Sequence, residues 1–239
     1  MRPEKNTYDY VIIGSGFGGS VSALRLAEKG YSVLVIEKGK WFTGQDFPKT
    51  NWILKKWLWE PRIGLFGFFK MTYLNHVSIL SGVGVGGGSL TYANTLPIPK
   101  PAFFKTGSWA GLDNWEEALK PHYQEALRML GATQNKTFGP ADEAIKELAK
   151  SMDKEADFSA SQVAVYFGQP GKTVSDPYFD GKGPDRTGCI HCGACMTGCR
   201  YNAKNTLDKN YLYFAQQLGA TIKAESEVYD IQPIDKKRG

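Results

Sequence analysis

The stretch YDYVIIGSGFGGSVSALRLAEKGYSVLVIEKG, Tyr8 to Gly39, carries a strand, a turn, a helix and a second strand in one reading. Tyr10 to Ile13 form a short apolar run with the length and β-branching of a buried strand. Gly14, Gly16 and Gly19 follow as G-x-G-x-x-G, with Ser15, Phe17 and Gly18 between them. Val21, Leu24 and Leu26, with Ala23 and Ala27, then pattern a helix that stops at Gly30. Ser32 to Ile36 make the second strand, which ends in the acid Glu37. Each part has a physical task. Gly14 permits the tight turn, Gly16 lets a pyrophosphate approach the backbone, and Gly19 lets the helix pack on the strand. Phosphates would sit at the helix N-terminus, where unpaired N–H groups and the helix dipole favour anions. Glu37 stands at the distance from Gly14 expected of an acid that accepts a hydrogen bond from a ribose hydroxyl. The stretch therefore predicts a dinucleotide-binding unit.

The choice of dinucleotide follows from position and charge. The motif opens the chain and its second strand runs into VIEKGKW, as in flavoproteins of the glutathione-reductase type. An acid at Glu37 with no arginine after it disfavours a 2′-phosphate, so FAD is the expected cofactor. A second glycine-rich run agrees with this. ILSGVGVGGGSLTYANTL, Ile79 to Leu96, holds five glycines between Gly82 and Gly88. Such a run makes a poor helix or strand, because glycine loses the most entropy on ordering. It suits a place where backbone N–H groups lie on a planar ring or a phosphate, and its apolar flanks argue against a mobile surface loop.

Composition bounds the rest. The chain has 239 residues, long enough for a sizeable core, and its net charge of +5 is spread with both signs mixed. No basic stripe of the kind nucleic acids need is present, and the closing KKRG is too short to supply one. Met1 to Asp9 is polar and gives no secretory signal. No run reaches the ~20 apolar residues of a spanning helix; the richest candidate, Asn51 to Leu74, is broken by Lys55, Lys56, Glu60, Pro61, Arg62 and Lys70. A cytoplasmic, reducing environment is the expectation, and there C-x2-C spacing favours metal over disulfide.

Four segments, in order, resemble the glucose–methanol–choline (GMC) oxidoreductases, and in particular their cholesterol-oxidase-like branch. They are GSGFGG with VIEKG, the run GVGGGSL, the helical WEEALKPHYQEALRMLG, and AKNTLDKNYL with ESEVYDI behind it, together spanning residues 14 to 231. The resemblance implies an α/β fold, with a Rossmann-like FAD-binding domain of GMC type and an inserted, mainly helical region. It implies flavin contacts at Gly88 and Ser89. The family's asparagine three residues after that serine is replaced by Tyr92, leaving Asn94 as the nearest. A strand valine whose backbone meets the adenine corresponds to Val228. The family's proton-abstracting histidine and its His or Asn partner have no counterpart here. His76, His122 and His191 are expected to be structural or solvated, so no catalytic residue is assigned. The expectation is an N-terminal part whose C-terminal substrate and catalytic part is missing. Residues 1–100 would be the first part of the FAD domain, 101–188 the inserted helical and loop region, and 189–239 a cysteine-rich loop with the return to the FAD domain. The aromatic segment 41–74 reads as core packing, with an entrance lid as the other reading.

All four cysteines fall in CIHCGACMTGC, at Cys189, Cys192, Cys195 and Cys199. C-x2-C-x2-C-x3-C is the spacing of a bacterial ferredoxin segment, although Arg200 stands where proline is usual and no second set is present. A [4Fe-4S] cluster leads; tetrathiolate zinc and bare thiols remain open. The functional expectation is an FAD-dependent oxidoreductase that takes hydride from the CH–OH group of an alcohol, sterol-like or otherwise apolar. An electron-acceptor protein would be its partner if the cluster is real. A non-catalytic flavin or iron–sulfur module and an inactive fragment are the alternatives.

Overall fold

The computed structural model describes residues 7–233; the first six residues and the last six, with KKRG among them, lie outside the described residues. The opening stretch folds as its pattern demands, into β1 (Tyr10–Ile13), α1 (Phe17–Glu28) and β2 (Val33–Ile36). β1 and β2 run parallel with Tyr10 opposite Val33 and Ile13 opposite Ile36. A third strand, Thr221–Lys223, joins the other side of β2 in parallel, placing Ile222 opposite Val35. β2 is therefore central, and Val33 and Val35 are completely enclosed. α1 lays Ala23, Leu24 and Ala27 against this sheet, and the helix Tyr211–Gln217 buries Tyr211, Leu212 and Ala215 beside it. Val85 and Leu207 complete the same core, so the second glycine run and the AKNTL segment are packed onto the first unit.

Two strand expectations are corrected. β1 was expected to be buried, yet Val11 and Ile13 are more than half exposed. Among the described residues β1 is a sheet edge, and only its Ile12 side faces the core. The strand expected to run from Thr221 past Val228 ends at Lys223. β2 itself ends at Ile36, and the Glu37 N–H beyond it closes the ladder on Lys223 O. Glu225, at φ 52°, turns the chain, and the N–H groups of Glu225 and Ser226 donate to the carbonyls of Gly39 and Glu37 instead. Val228 consequently lies in irregular chain, half-buried.

The aromatic segment divides. Phe42, Phe47, Phe68 and Phe69 form a second core with Leu90, with ring centroids 5.2–5.7 Å apart. Trp52, Ile63 and Phe66 stay exposed, Trp52 at 89%. The strands Phe69–Tyr73 and Ser78–Gly82 pair antiparallel, with Phe69 opposite Gly82 and Met71 opposite Leu80. Gly82 closes that pair, and Gly87–Leu90 forms a 3-10 turn, so the glycine run is irregular between them. Farther on, helices span Trp115–Met129 and Pro140–Ser151, the latter starting at its proline. Asn114 precedes the former without a side-chain capping bond. No helix among the described residues is long and apolar enough to cross a membrane.

Candidate functional site

The N-terminus of α1 is an uncommitted anion cradle. Its N-cap is Gly16, which has no side chain to cap with, and the first turn carries no acid. A Cβ built at Gly14, Gly16 or Gly18 would meet nothing within 4 Å, so open ground lies above the turn. Gly19 is the opposite case. There a Cβ would collide with the Gly14 carbonyl and come within 3.2 Å of the Ile12 side chain. Helix–strand contact therefore requires glycine at 19, the turn itself requires it at 14, where φ is 90°, and open ground remains at 16 and 18. This cradle fits the diphosphate of FAD.

The two glycine runs meet beside it. Gly87, at φ 50°, sits so that a Cβ would lie 2.7 Å from the Gly16 Cα. Ser15 and Glu37 lock this contact. The Glu37 carboxylate accepts from the Ser15 N–H (3.0 Å) and hydroxyl (2.7 Å) on Oε2, and from Gly39 N–H (2.9 Å) and Gly84 N–H (3.3 Å) on Oε1. The Ser15 hydroxyl also accepts from Gly86 N–H at 3.1 Å. Glu37 was expected to face a ribose; in this structure both of its oxygens are taken by loop donors, and it is 5% exposed. Glu37→Ala is thus expected to loosen both loops at once. Four buried donors lose a charged acceptor, worth roughly 1.5–3 kcal/mol, which is a tenfold or greater fall in FAD affinity. Equilibrium titration with FAD checks this, and unchanged affinity would remove Glu37 from the site.

Gly88 and Ser89 also come to this place, but differently from each other. Gly88 faces the Phe17 ring, which lies 3.7 Å from its Cβ position. Ser89 is fully buried, donating to Gly86 O (2.7 Å) and accepting from Leu207 N–H (3.0 Å), so its hydroxyl holds the loop in shape. A cleft of about 420 Å3 opens over Gly82, Gly88, Thr91 and Tyr92, with Phe69 and Leu80 on its rim. Asn94 is buried at φ 59°, and its Oδ1 has no hydrogen-bond partner among the described residues. Val228 lies on the chain that follows the bonds from Glu225 N–H to Gly39 O and from Ser226 N–H to Glu37 O.

Sequence reading missed Lys204, which joins this cleft to the cysteine loop. Its ammonium is 1% exposed, donates to Leu90 O (3.1 Å) and Cys195 O (2.8 Å), and lies 4.4 Å from the Tyr92 ring centroid. Burial pushes it down to about 7, against the pull of the Cys195 and Cys199 thiols. The only signal was its place inside AKNTL.

In the cysteine loop, Cys199 Sγ accepts from the N–H groups of Ala203 (3.4 Å) and Lys204 (3.5 Å), and Cys189 Sγ from His191 N–H (3.3 Å). Burial pushes the Cys189 and Cys195 thiols up. Among the described residues, however, no three His, Cys, Asp or Glu side chains come together as a metal-holding group. The thiols are nonetheless neighbours: Cys192 and Cys199 act electrostatically on Cys189, and Cys189 and Cys199 on Cys195. Cys192 is exposed on a tip turned by His191 (φ 57°) and Gly193 (φ 69°). His191 stacks on Phe167, and none of the three histidines lines the cleft.

A family model described as FAD dependent oxidoreductase matches residues 9–239. The chain is 52% identical, over 96% of its length, to a cholesterol oxidase of Acinetobacter baumannii, of which it covers 42%. It is 53% identical, over 93% of its length, to a cholesterol oxidase of Mycobacterium tuberculosis, covering 39% of that protein. A long-chain-alcohol oxidase, FAO4B of Arabidopsis thaliana, is 28% identical over 90% of the chain, which covers 25% of it. The chain spans about two fifths of the length of the cholesterol oxidases it matches.

Proposed function

Since the chain belongs to the FAD dependent oxidoreductase family, we propose that it is the FAD-binding portion of an enzyme that oxidises the CH–OH group of an alcohol with an apolar body. The observation that carries this reading is the meeting of two glycine runs at a helix N-terminus with open ground above Gly14, Gly16 and Gly18. The N–H groups of the first turn of α1 would hold the diphosphate, and Gly88 would lie against the ring. Glu37 keeps the two runs in register through its bonds to Ser15, Gly39 and Gly84. Bound FAD supplies a two-electron acceptor for hydride from the carbinol carbon. The chain's own part is to bind, orient and exclude water: Phe17 and Tyr92 stand edge to face at 5.9 Å, while Phe69 and Leu80 bound the cleft.

Proton abstraction is assigned to no described residue. The Tyr92 hydroxyl donates to Asn205 O at 2.8 Å, and burial raises it well above its usual value, so it stays protonated. The apolar character of the substrate draws support from the names of the relatives, cholesterol and long-chain-alcohol oxidases. The cysteine spacing supports a [4Fe-4S] cluster, which Cys189, Cys192, Cys195 and Cys199 would hold and which would supply a one-electron relay toward an acceptor protein. Zinc is the alternative occupant.

Anaerobic purification followed by visible absorption and assays for iron, sulfide and zinc tests both parts. Flavin bands after reconstitution with FAD are expected, together with iron and sulfide in matching amounts. A protein that takes up no FAD would overturn the functional reading. One that binds FAD but neither iron nor zinc would overturn only the metal reading.

A further inference from the structure

A second cavity, of about 510 Å3, adjoins the cleft over Gly88: Phe69 and Leu80 line both. Trp57, Phe68 and Met71 add apolar surface to it, and Phe68 is fully buried. Its other wall is the cysteine loop, which contributes Cys192, Ala194 and Thr197. No carboxylate lines it, and its charged groups are Lys49 and Arg200, the latter tethered by a 2.9 Å bond from its Nη1 to Pro48 O. The volume falls inside the range in which proteins bury small organic ligands, and an aromatic lining with a few polar groups is the usual composition of such sites.

We infer that this cavity binds the apolar body of the alcohol, and that the cysteine loop forms one of its walls with Cys192 in contact with the bound molecule. The inference rests on the alcohol-oxidising reading above and deepens it by locating the hydrocarbon. Three observations select the occupant. The cavity shares Phe69 and Leu80 with the cleft at Gly88, so a chain lying here can present its hydroxyl end there. Trp57, Met71 and Leu80 gain by removing hydrocarbon from water, and the lining holds no carboxylate to oppose it. The polar groups of the loop wall, Thr197 among them, are few enough to leave that gain intact. The motif that reads as a metal loop in the sequence thereby has a second task as a binding surface.

Alkylation of Cys192 reads occupancy without requiring turnover. FAD-loaded full chain is treated with iodoacetamide, and modification of each cysteine is followed by mass spectrometry with 1-decanol or ethanol present. At about ten times its Kd, 1-decanol is expected to slow modification of Cys192 about tenfold, while ethanol leaves the rate unchanged. Met71→Trp, which fills the cavity from the wall facing the loop and lies outside the cleft at Gly88, is expected to abolish the protection while keeping the visible flavin bands. Equal Cys192 rates with and without 1-decanol overturn the inference. If bound metal already shields Cys192, calorimetric titration with 1-decanol replaces the alkylation. Equal affinity in wild type, Met71→Trp and Thr197→Trp then overturns it. No protection in the wild type with flavin still bound rejects the cavity alone; absence of flavin in the wild type rejects the functional reading on which it rests.

Discussion

Gly19→Val is expected to cost about 3 kcal/mol or more of stability and to leave the protein without flavin. The position has no room: a Cβ there runs into the Gly14 carbonyl, which is backbone and cannot rotate away, and closes on the Ile12 side chain at 3.2 Å. Relief requires α1 to lift off β1, and with it the buried contacts of Ala23 and Leu24. Overpacking of a core commonly costs 1–3 kcal/mol, and a clash with fixed backbone lies at the upper end. Gly18→Ala is the informative control. Its Cβ meets nothing within 4 Å and the residue is helical, so the apoprotein should gain about 0.5–1 kcal/mol. The added methyl enters the open ground above the turn, however, so FAD affinity should fall. Urea midpoints and FAD titrations on the two variants separate a packing glycine from a cradle glycine. A Gly19→Val protein as stable as wild type would refute the packing role.

The second large effect is expected at Arg186, 1% exposed and without a carboxylate hydrogen-bonded to it. Its guanidinium donates to Asn205 Oδ1 (2.8 Å), Pro184 O and Asp185 O (both 3.1 Å), and Lys209 O (3.0 Å). Those acceptors come from the chain just before the cysteine loop and from the AKNTLDK segment after it, so one side chain closes the base of that loop. Arg186→Leu strands four acceptors, each worth about 1–3 kcal/mol when left unsatisfied. Some water will enter, and a net loss of about 4 kcal/mol is expected. Arg186→Lys should recover only part, because a single ammonium cannot reach acceptors arranged around a planar fork. Chemical denaturation measures both. A loss below about 1 kcal/mol for Arg186→Leu would show that the four carbonyls find other donors.

What could be read from sequence followed the range of the interactions. The first unit was legible because its periods of two and 3.6 and its glycine spacing are local, and β1, α1 and β2 lie where that pattern puts them. The resemblance to cholesterol-oxidase-like sequences was legible for the same reason, as short motifs in fixed order. The role of Glu37 was only half legible: its place at the end of β2 is a local fact, but one of its donors is Gly84, which lies 47 residues downstream. The strand through Val228 failed because a strand ends where its partner ends, and β2 stops at Ile36. Lys204 looked like one polar residue among several in AKNTLDK. Its burial depends on the carbonyls of Leu90 and Cys195, and no local pattern announces that. The cysteine spacing was plain in the sequence, whereas the position of each sulfur depends on the turns between them.

The bare edge of β1 bears on how the chain behaves at concentration. Tyr-Val-Ile-Ile is a short β-prone segment with no charge, no proline and no bulge, and among the described residues it has a strand neighbour on one side only. Natural sheets usually guard such a border with lysine, proline or a covering element, because unpaired N–H and C=O groups recruit further strands. Here Val11 and Ile13 add exposed hydrocarbon to that border. Any surface that presents a complementary strand, another molecule of the same chain included, finds a ready template.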